Sequence, residues 1–259
     1  MRKRGVFFGM VLFLLLFAGT AAADSAASDD VPRSRFFIAP YGWMMGLNGT
    51  VGAMGIRTEV DSGFSEGLDK VDFAGMIVME AAFENKYGVM ANLNMVKLKD
   101  QASYRGVALD GGTHMFFGNF SLFYRLASYP LKRHPDAYVN FDILAGINYW
   151  DVGLDLTMAS PYLGSYSLSK SADWIDPVFG ARMQVRFDDQ WTFVLQGHLG
   201  GGGDTRSTWD AIARVGRRIG KNSTLVLGYR AVSVNREEDN GFVFKTTLHG
   251  PILGFIFSF

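Results

Sequence analysis

Nine polar residues stand alone between apolar or small neighbours: Glu80, Asn92, Asp142, Arg182, Gln196, His198, Asp210, Arg214 and Arg230. Side chains that alternate at a period of two lie on opposite faces of a strand, so these nine share a face turned from the apolar one. Two kinds of chemistry are open to them. Arg182, Arg214 and Arg230 with Glu80 and Asp142 make an ion-pair network, in which the arginine fork suits carboxylates because it bonds them bidentately. A charge left without its buried partner costs about 3–5 kcal/mol, so the expectation is one network in which the five neutralise each other. His198 and Asp210 are the best acid–base pair the chain offers. A single interior histidine more often fills a hydrogen-bonding position, so no catalytic residue is expected. Four scattered histidines and no cysteine make no metal site, and nothing implies a cofactor.

The elements that must hold these residues are strands. Alternation of apolar and polar residues persists from Phe36 onward, broken by short polar turns near Asn85, Lys132, Asp189 and Lys221. Ile77, Met79 and Ala81 oppose Val78 and Glu80. Val89, Ala91 and Leu93 oppose Asn92 and Asn94, and Phe120, Leu122 and Tyr124 oppose Asn119, Ser121 and Arg125. Further along, Phe141, Ile143 and Ala145 oppose Asn140 and Asp142, and Phe179, Ala181 and Met183 oppose Asp176 and Arg182. The first strand is read with Phe37, Ala39, Tyr41, Trp43 and Met45 on the greasy face. About ten strands result, and the expected fold is all-β: an antiparallel transmembrane barrel over 36–259, polar inside and apolar outside. A soluble ligand-binding barrel inverts that pattern.

Connections on the other side are longer, at about 49–71, 97–113, 156–172, 201–207 and 235–241. Short turns at one end and long loops at the other mark the periplasmic and outer sides of bacterial barrels. Asp176, His198 and Asp210 then lie toward the outer mouth. In the first long loop, Phe64, Leu68 and Val71 are spaced as on one face of a short helix that could cover that mouth. Gly200–Gly203 precedes no helix and is read as a bend at the rim rather than a phosphate loop, and a bulge is expected near Gly250–Pro251.

Composition agrees. The chain has 259 residues, enough for one barrel, with 31 Gly and 14% aromatic residues. Arg2, Lys3 and Arg4 precede an apolar run over 6–17 and a small-residue stretch ending at Ala23, so residues 1–23 read as a cleaved secretory signal. Residues 24–35 read as a short periplasmic lead-in. Removing those three bases from the 25 Lys and Arg leaves 22 against 25 acids, which gives no reason to expect nucleic acid as a partner. No cysteine is present for a disulfide or a lipid anchor.

Leu253, Phe255, Phe257 and Phe259 alternate along the last strand. This ending resembles the C-terminal strand of Gram-negative outer-membrane proteins, and the resemblance implies that Phe255, Phe257 and Phe259 act as an assembly signal. Pro40-Tyr-Gly-Trp43, Gly46-Leu-Asn-Gly49, Asp72-Phe-Ala74, Asp173-Trp-Ile-Asp-Pro177 through Arg182, Gly228-Tyr-Arg230 and His249-Gly-Pro251 resemble a poorly characterised family of small outer-membrane barrels. That likeness implies fold and compartment, with no activity to transfer. The partners it implies are outer-membrane lipid and lipopolysaccharide, periplasmic chaperones and the barrel assembly machinery. Barrel lipases place His and Ser two apart on a strand, and ten-stranded barrel proteases use Asp-X-Asp and Asp-X-His pairs. The chain contains neither pattern. The expected role is structural or surface-binding with the lumen closed by the charged network, and the alternative is a narrow channel for small solutes or ions.

Overall fold

A computed structural model describes residues 34–53, 56–62, 71–104, 107–132, 134–160 and 164–259. The signal segment and most of the lead-in lie outside the described residues, as do positions 63–70 of the expected short helix. Twelve strands form one antiparallel sheet: β1 (Ser34–Trp43), β2 (Gly46–Ala53), β3 (Ile56–Ser62), β4 (Val71–Phe83), β5 (Tyr87–Tyr104), β6 (Val107–Pro130), β7 (Tyr138–Ser160), β8 (Gly164–Arg186), β9 (Trp191–Gly202), β10 (Thr205–Arg218), β11 (Ser223–Glu237) and β12 (Val243–Ser258). β1 and β4–β12 pair with their neighbours in chain order, and β1 pairs with β12, which closes a ten-stranded barrel. Closure leaves no unpaired edge among these ten strands, as a lipid environment demands.

Leu122, Phe179 and Leu199 are 65%, 70% and 71% exposed on the outer face, while Asp142, Asp176 and Arg230 are at most 2% exposed inside. An apolar exterior around a buried polar interior is the pattern of a membrane barrel. Among the described residues no helix is long and apolar enough to cross a membrane. The tight turn after β4 places Glu84 and Asn85 at φ of 50° and 52°, and the Lys86 amide donates to the Phe83 carbonyl at 2.9 Å. Two positive φ values in succession match the right-handed twist of the flanking strands.

The structure corrects the sequence reading in four places. In β1 the faces are reversed: Ala39, Tyr41 and Trp43 point into the barrel, and Pro40 and Gly42 face out. Both faces of this strand are apolar, so alternation alone could not choose between them. The first long connection is a β2–β3 hairpin whose first strand runs on along β12 past β1, and Val60, Asp61 and Ser62 are strand rather than helix. Residues read as loops at 97–113 and 156–172 are largely strand, since β5–β6 and β7–β8 stay paired out to Tyr104–Val107 and Ser160–Gly164. A ladder continues past the lipid without any need for an apolar face, which removes the sequence signal. Near Gly250–Pro251 the pairing of β12 with β11 and with β1–β2 keeps one register throughout, so no bulge forms there. The irregularity in β6–β7 lies instead between Arg125 and Ala127.

Candidate functional site in the barrel lumen

The lumen is filled in three tiers. Nearest the short turns, Arg182 on β8 donates to Glu80 Oε2 on β4 at 2.5 Å and, through Nε, to Asp142 Oδ2 on β7 at 2.9 Å. Arg125 on β6 reaches the other side of Asp142, Nε to Oδ1 at 2.8 Å, and also donates to the Asn85 carbonyl of the turn at 3.0 Å. The Arg182 guanidinium lies 4.5 Å from the centre of the Phe123 ring. Gly88 makes room for that ring, because a Cβ there would sit 2.5 and 2.6 Å from two of its carbons. Two cations and two anions thus neutralise each other on a hydrophobic shelf, which is the geometry that makes a buried ion pair tolerable.

Midway, Arg230 on β11 grips Asp210 on β10 bidentately, with Nη2 at 2.7 Å and Nε at 3.3 Å. Its third nitrogen donates to the Tyr41 hydroxyl at 2.6 Å and to Asn94 Oδ1 at 3.0 Å. The Tyr41 hydroxyl lies 3.0 Å from Asn92 Oδ1 and 2.7 Å from Asn94 Oδ1. Trp43 covers the guanidinium face at 4.9 Å. A desolvated arginine stacked on an aromatic ring gains from the ring quadrupole as well as from its ion pair.

Toward the tall end the interior turns apolar. Phe117 stacks on Trp150 at 4.6 Å, Trp150 on Trp174 at 5.8 Å, and Phe242 and Phe244 close against Trp174 at 6.1 Å each. Trp43, Met115, Val152, Val232, Val234, Leu248 and Ile252 complete a buried cluster inside the barrel. Arg236 caps it, 4.8 Å over Trp174 and bonded to Glu238, Asp204 and Thr205.

Of the expected single network, Glu80, Asp142 and Arg182 come together. Arg230 is separate and binds Asp210, which the sequence had set higher. Arg214 has no hydrogen-bond or ion-pair partner among the described residues. Asn92 belongs to the middle tier, and Gln196 faces Met90 Sδ at 3.8 Å. His198 is buried across the β9–β10 ladder from Asp210, but its Nε2 has no partner among the described residues and Asp210 is taken by Arg230. No acid–base pair forms there. Among the described residues no three of His, Asp and Glu gather as metal ligands. Sequence reasoning set Arg125 on the inner face but left it out of the network, and it missed Tyr41, Trp43 and the aromatic tier. Tyr and Trp carry a polar handle on a large apolar body, so a Tyr-Gly-Trp run suits a lumen as well as a lipid boundary.

Phe255 and Phe257 face outward at 43% and 40% exposure, as the alternation requires. Phe259 exchanges backbone hydrogen bonds with Phe36 across the closing seam, at 2.9 and 3.4 Å, and the two rings lie 6.1 Å apart.

No protein-family model matches the sequence, and no curated protein does. Among solved structures, the outer membrane protease OmpT from Escherichia coli superposes with a TM-score of 0.58 at 8% identity, covering 91% of this chain and 100% of that one. The attachment invasion locus protein Ail of Yersinia pestis matches at 0.38 and 12% identity over 87% of this chain and 98% of its own. Neisserial surface protein A matches at 0.36 and 9%, over 87% and 97%. At such identities likeness concerns the fold alone: the chain is an antiparallel ten-stranded barrel of the kind found in bacterial outer membranes, with one additional hairpin.

Proposed function

We propose that this chain is a Gram-negative outer-membrane barrel with a closed lumen, and that it works at the cell surface through the wall raised by β5–β8. The observation that carries this reading is the filled interior. Two self-neutral charge clusters lie under a buried stack of Phe117, Trp150, Trp174, Phe242 and Phe244, so large side chains occupy the interior at successive depths. Barrels near eight strands are just filled by side chains, and ten strands add little width once arginines and tryptophans point inward. A channel is therefore the weaker reading. Catalysis is not part of the proposal, since Asp210 is held by Arg230 and His198 has no partner carboxylate among the described residues.

The wall supports the surface role. A strand needs about 9–11 residues to cross a bilayer, whereas β6, β7 and β8 run for 24, 23 and 23 residues. Their excess stands beyond the lipid on the side away from the short turns. Outer-membrane lipid and lipopolysaccharide would surround the apolar belt. Periplasmic chaperones and the assembly machinery would handle the chain before insertion, with Phe255, Phe257 and Phe259 as the segment they read.

Single cysteines at Ser167, on the wall, and at Lys221, in a short turn, test this arrangement on intact cells with a membrane-impermeant maleimide. The Ser167 site should label and the Lys221 site should label only after lysis. The reverse pattern would overturn the surface role.

A further inference from the structure

The seam that closes the barrel is interrupted at one place. On β1, Phe37 and Ile38 pair with Ser258 and Phe257 of β12, and Tyr41, Gly42 and Trp43 pair with Gly254, Leu253 and Ile252 in the same register. Between these runs, Ala39 and Pro40 do not pair with Ile256 and Phe255. All four keep their partners on the far side, Ala39 and Pro40 on β4, Phe255 and Ile256 on β11. Proline is the cause. Phe36 exchanges backbone bonds with Phe259, and the Met44 amide donates to the Pro251 carbonyl at 3.0 Å. Bonded pairs of an antiparallel ladder recur at every second residue, so position 40 is one that should donate to the Phe255 carbonyl. Proline has no N–H to give.

A cavity of about 30 Å³ lies at this gap, counted as space open to the centre of a water-sized body and roughly twice what one water needs. Its lining comes from both faces of the wall. Pro40 and Phe255 face outward, while Ala39, Val78, Ile212 and Val226 face inward. Gly254 keeps the space, because a Cβ there would lie 2.6 Å from Tyr41 Cβ and 2.7 Å from the Pro40 carbonyl oxygen. Arg214 is its only charged neighbour among the described residues, and almost all of the surface it presents is hydrocarbon. A water needs two or more polar partners, which this lining does not supply.

The outward mouth opens on lipid. Leu253, Phe255 and Phe257 are exposed along the same strand, in the apolar belt. A strand crosses the hydrocarbon in about 9–11 residues, and Phe255 stands four before Phe259 at the membrane's edge. The gap therefore lies near the middle of the bilayer, where acyl chains end. We propose that it is a lateral port, and that the cavity behind it takes the end of a phospholipid acyl chain. Aliphatic walls and a small volume suit a straight hydrocarbon tail, and a charged headgroup would meet only apolar surface there. The port needs the membrane barrel alone, and neither the closed lumen nor the surface role.

The test uses the purified barrel in phospholipid vesicles doped with a phospholipid that carries a photoactivatable diazirine at the end of one acyl chain. After irradiation, adducts are located by mass spectrometry. Leu253 and Phe257 face lipid and should be labelled in any case. Val78, Ile212 or Val226, which face inward, should be labelled as well, and at least fivefold less when the diazirine sits beside the ester carbonyl. Pro40→Ala restores the missing donor and should lower the inward adducts at least fivefold while the outward ones stay unchanged. Should that variant fail to insert, Ala39→Leu, which fills the cavity, should show the same loss. Adducts confined to outward residues in the parent would overturn the proposal. So would inward adducts of equal yield from the carbonyl-side probe, or inward adducts undiminished in the variant.

Discussion

Arg182 holds two acids at once, and its removal is the most damaging single change the lumen allows. Arg182→Met leaves Asp142 with Arg125 but leaves Glu80 buried at 9% exposure with no cation bonded to it. Truncating one member of a buried pair typically costs about 3–5 kcal/mol, so this variant should lose about 3 kcal/mol in urea unfolding from detergent. Adding Glu80→Gln should restore most of the loss, because the orphaned charge is gone, and a double-mutant cycle measures that coupling. Additive losses would mean that the pair is not formed. Asp188, in the short turn after β8, accepts the amides of Trp191 at 2.7 Å and Gln190 at 2.8 Å, and these bonds hold its carboxyl below the ordinary value of 3.8. A depressed acid contributes fully above its unfolded pKa and loses that contribution as pH falls through the lower, folded value. An NMR titration of Asp188 should therefore have its midpoint below 3.8, and a midpoint at or above it would contradict the turn geometry.

Which residues share a depth was legible by counting from the short turns, and which reach across a ladder to another depth was not. Glu80, Asp142 and Arg182 could be placed at one depth by counting from the turns beside them. Arg230 and Asp210 stand on one hairpin, where Arg230 lies opposite Ile212 and Asp210 opposite Val232, and the arginine reaches diagonally across the ladder to the acid, which a count by equal height misses. Arg214 looked like a fourth member of the network by type and position. Its isolation follows from acids already claimed by closer arginines, and no single-residue property encodes that.

At the scale of elements, the polarity of nine of the ten barrel strands could be read from alternation, and the exception has a physical cause. β1 carries Phe37, Ala39, Tyr41 and Trp43 on one face and Ile38, Pro40 and Gly42 on the other, so both faces satisfy a lipid pattern. Inside the barrel, Tyr41 and Trp43 find Arg230, Asn92 and Asn94, which settles the register. Gly42 then faces lipid, where a Cβ meets nothing closer than the Leu253 carbonyl oxygen at 3.9 Å. A nitroxide on Gly42→Cys in liposomes should collide freely with oxygen dissolved in the lipid. A label sheltered from oxygen would put Tyr41 back outside. The tall ends of β5–β8 and the β2–β3 hairpin were read as loops for a related reason. Beyond the membrane both strand faces meet water, and backbone ladders leave no mark on hydropathy.

For the whole molecule, barrel closure was legible and lumen filling only in part. An apolar exterior and a charged interior follow from composition on alternating faces, and they exclude a soluble barrel. The aromatic tier did not follow. Phe117, Trp150 and Trp174 sit near the end of the lipid-crossing stretch, where an aromatic residue suits an interfacial girdle as well as an interior stack. Their inward direction makes the interior change from polar to apolar along the barrel axis. In the proposed reading, the charged clusters and the aromatic stack together close the lumen. Planar-bilayer recording of the purified parent protein tests it most directly. A closed lumen should give a silent membrane under applied voltage, with no reproducible unitary steps. Steady unitary conductance of uniform size would contradict it and make the barrel a channel.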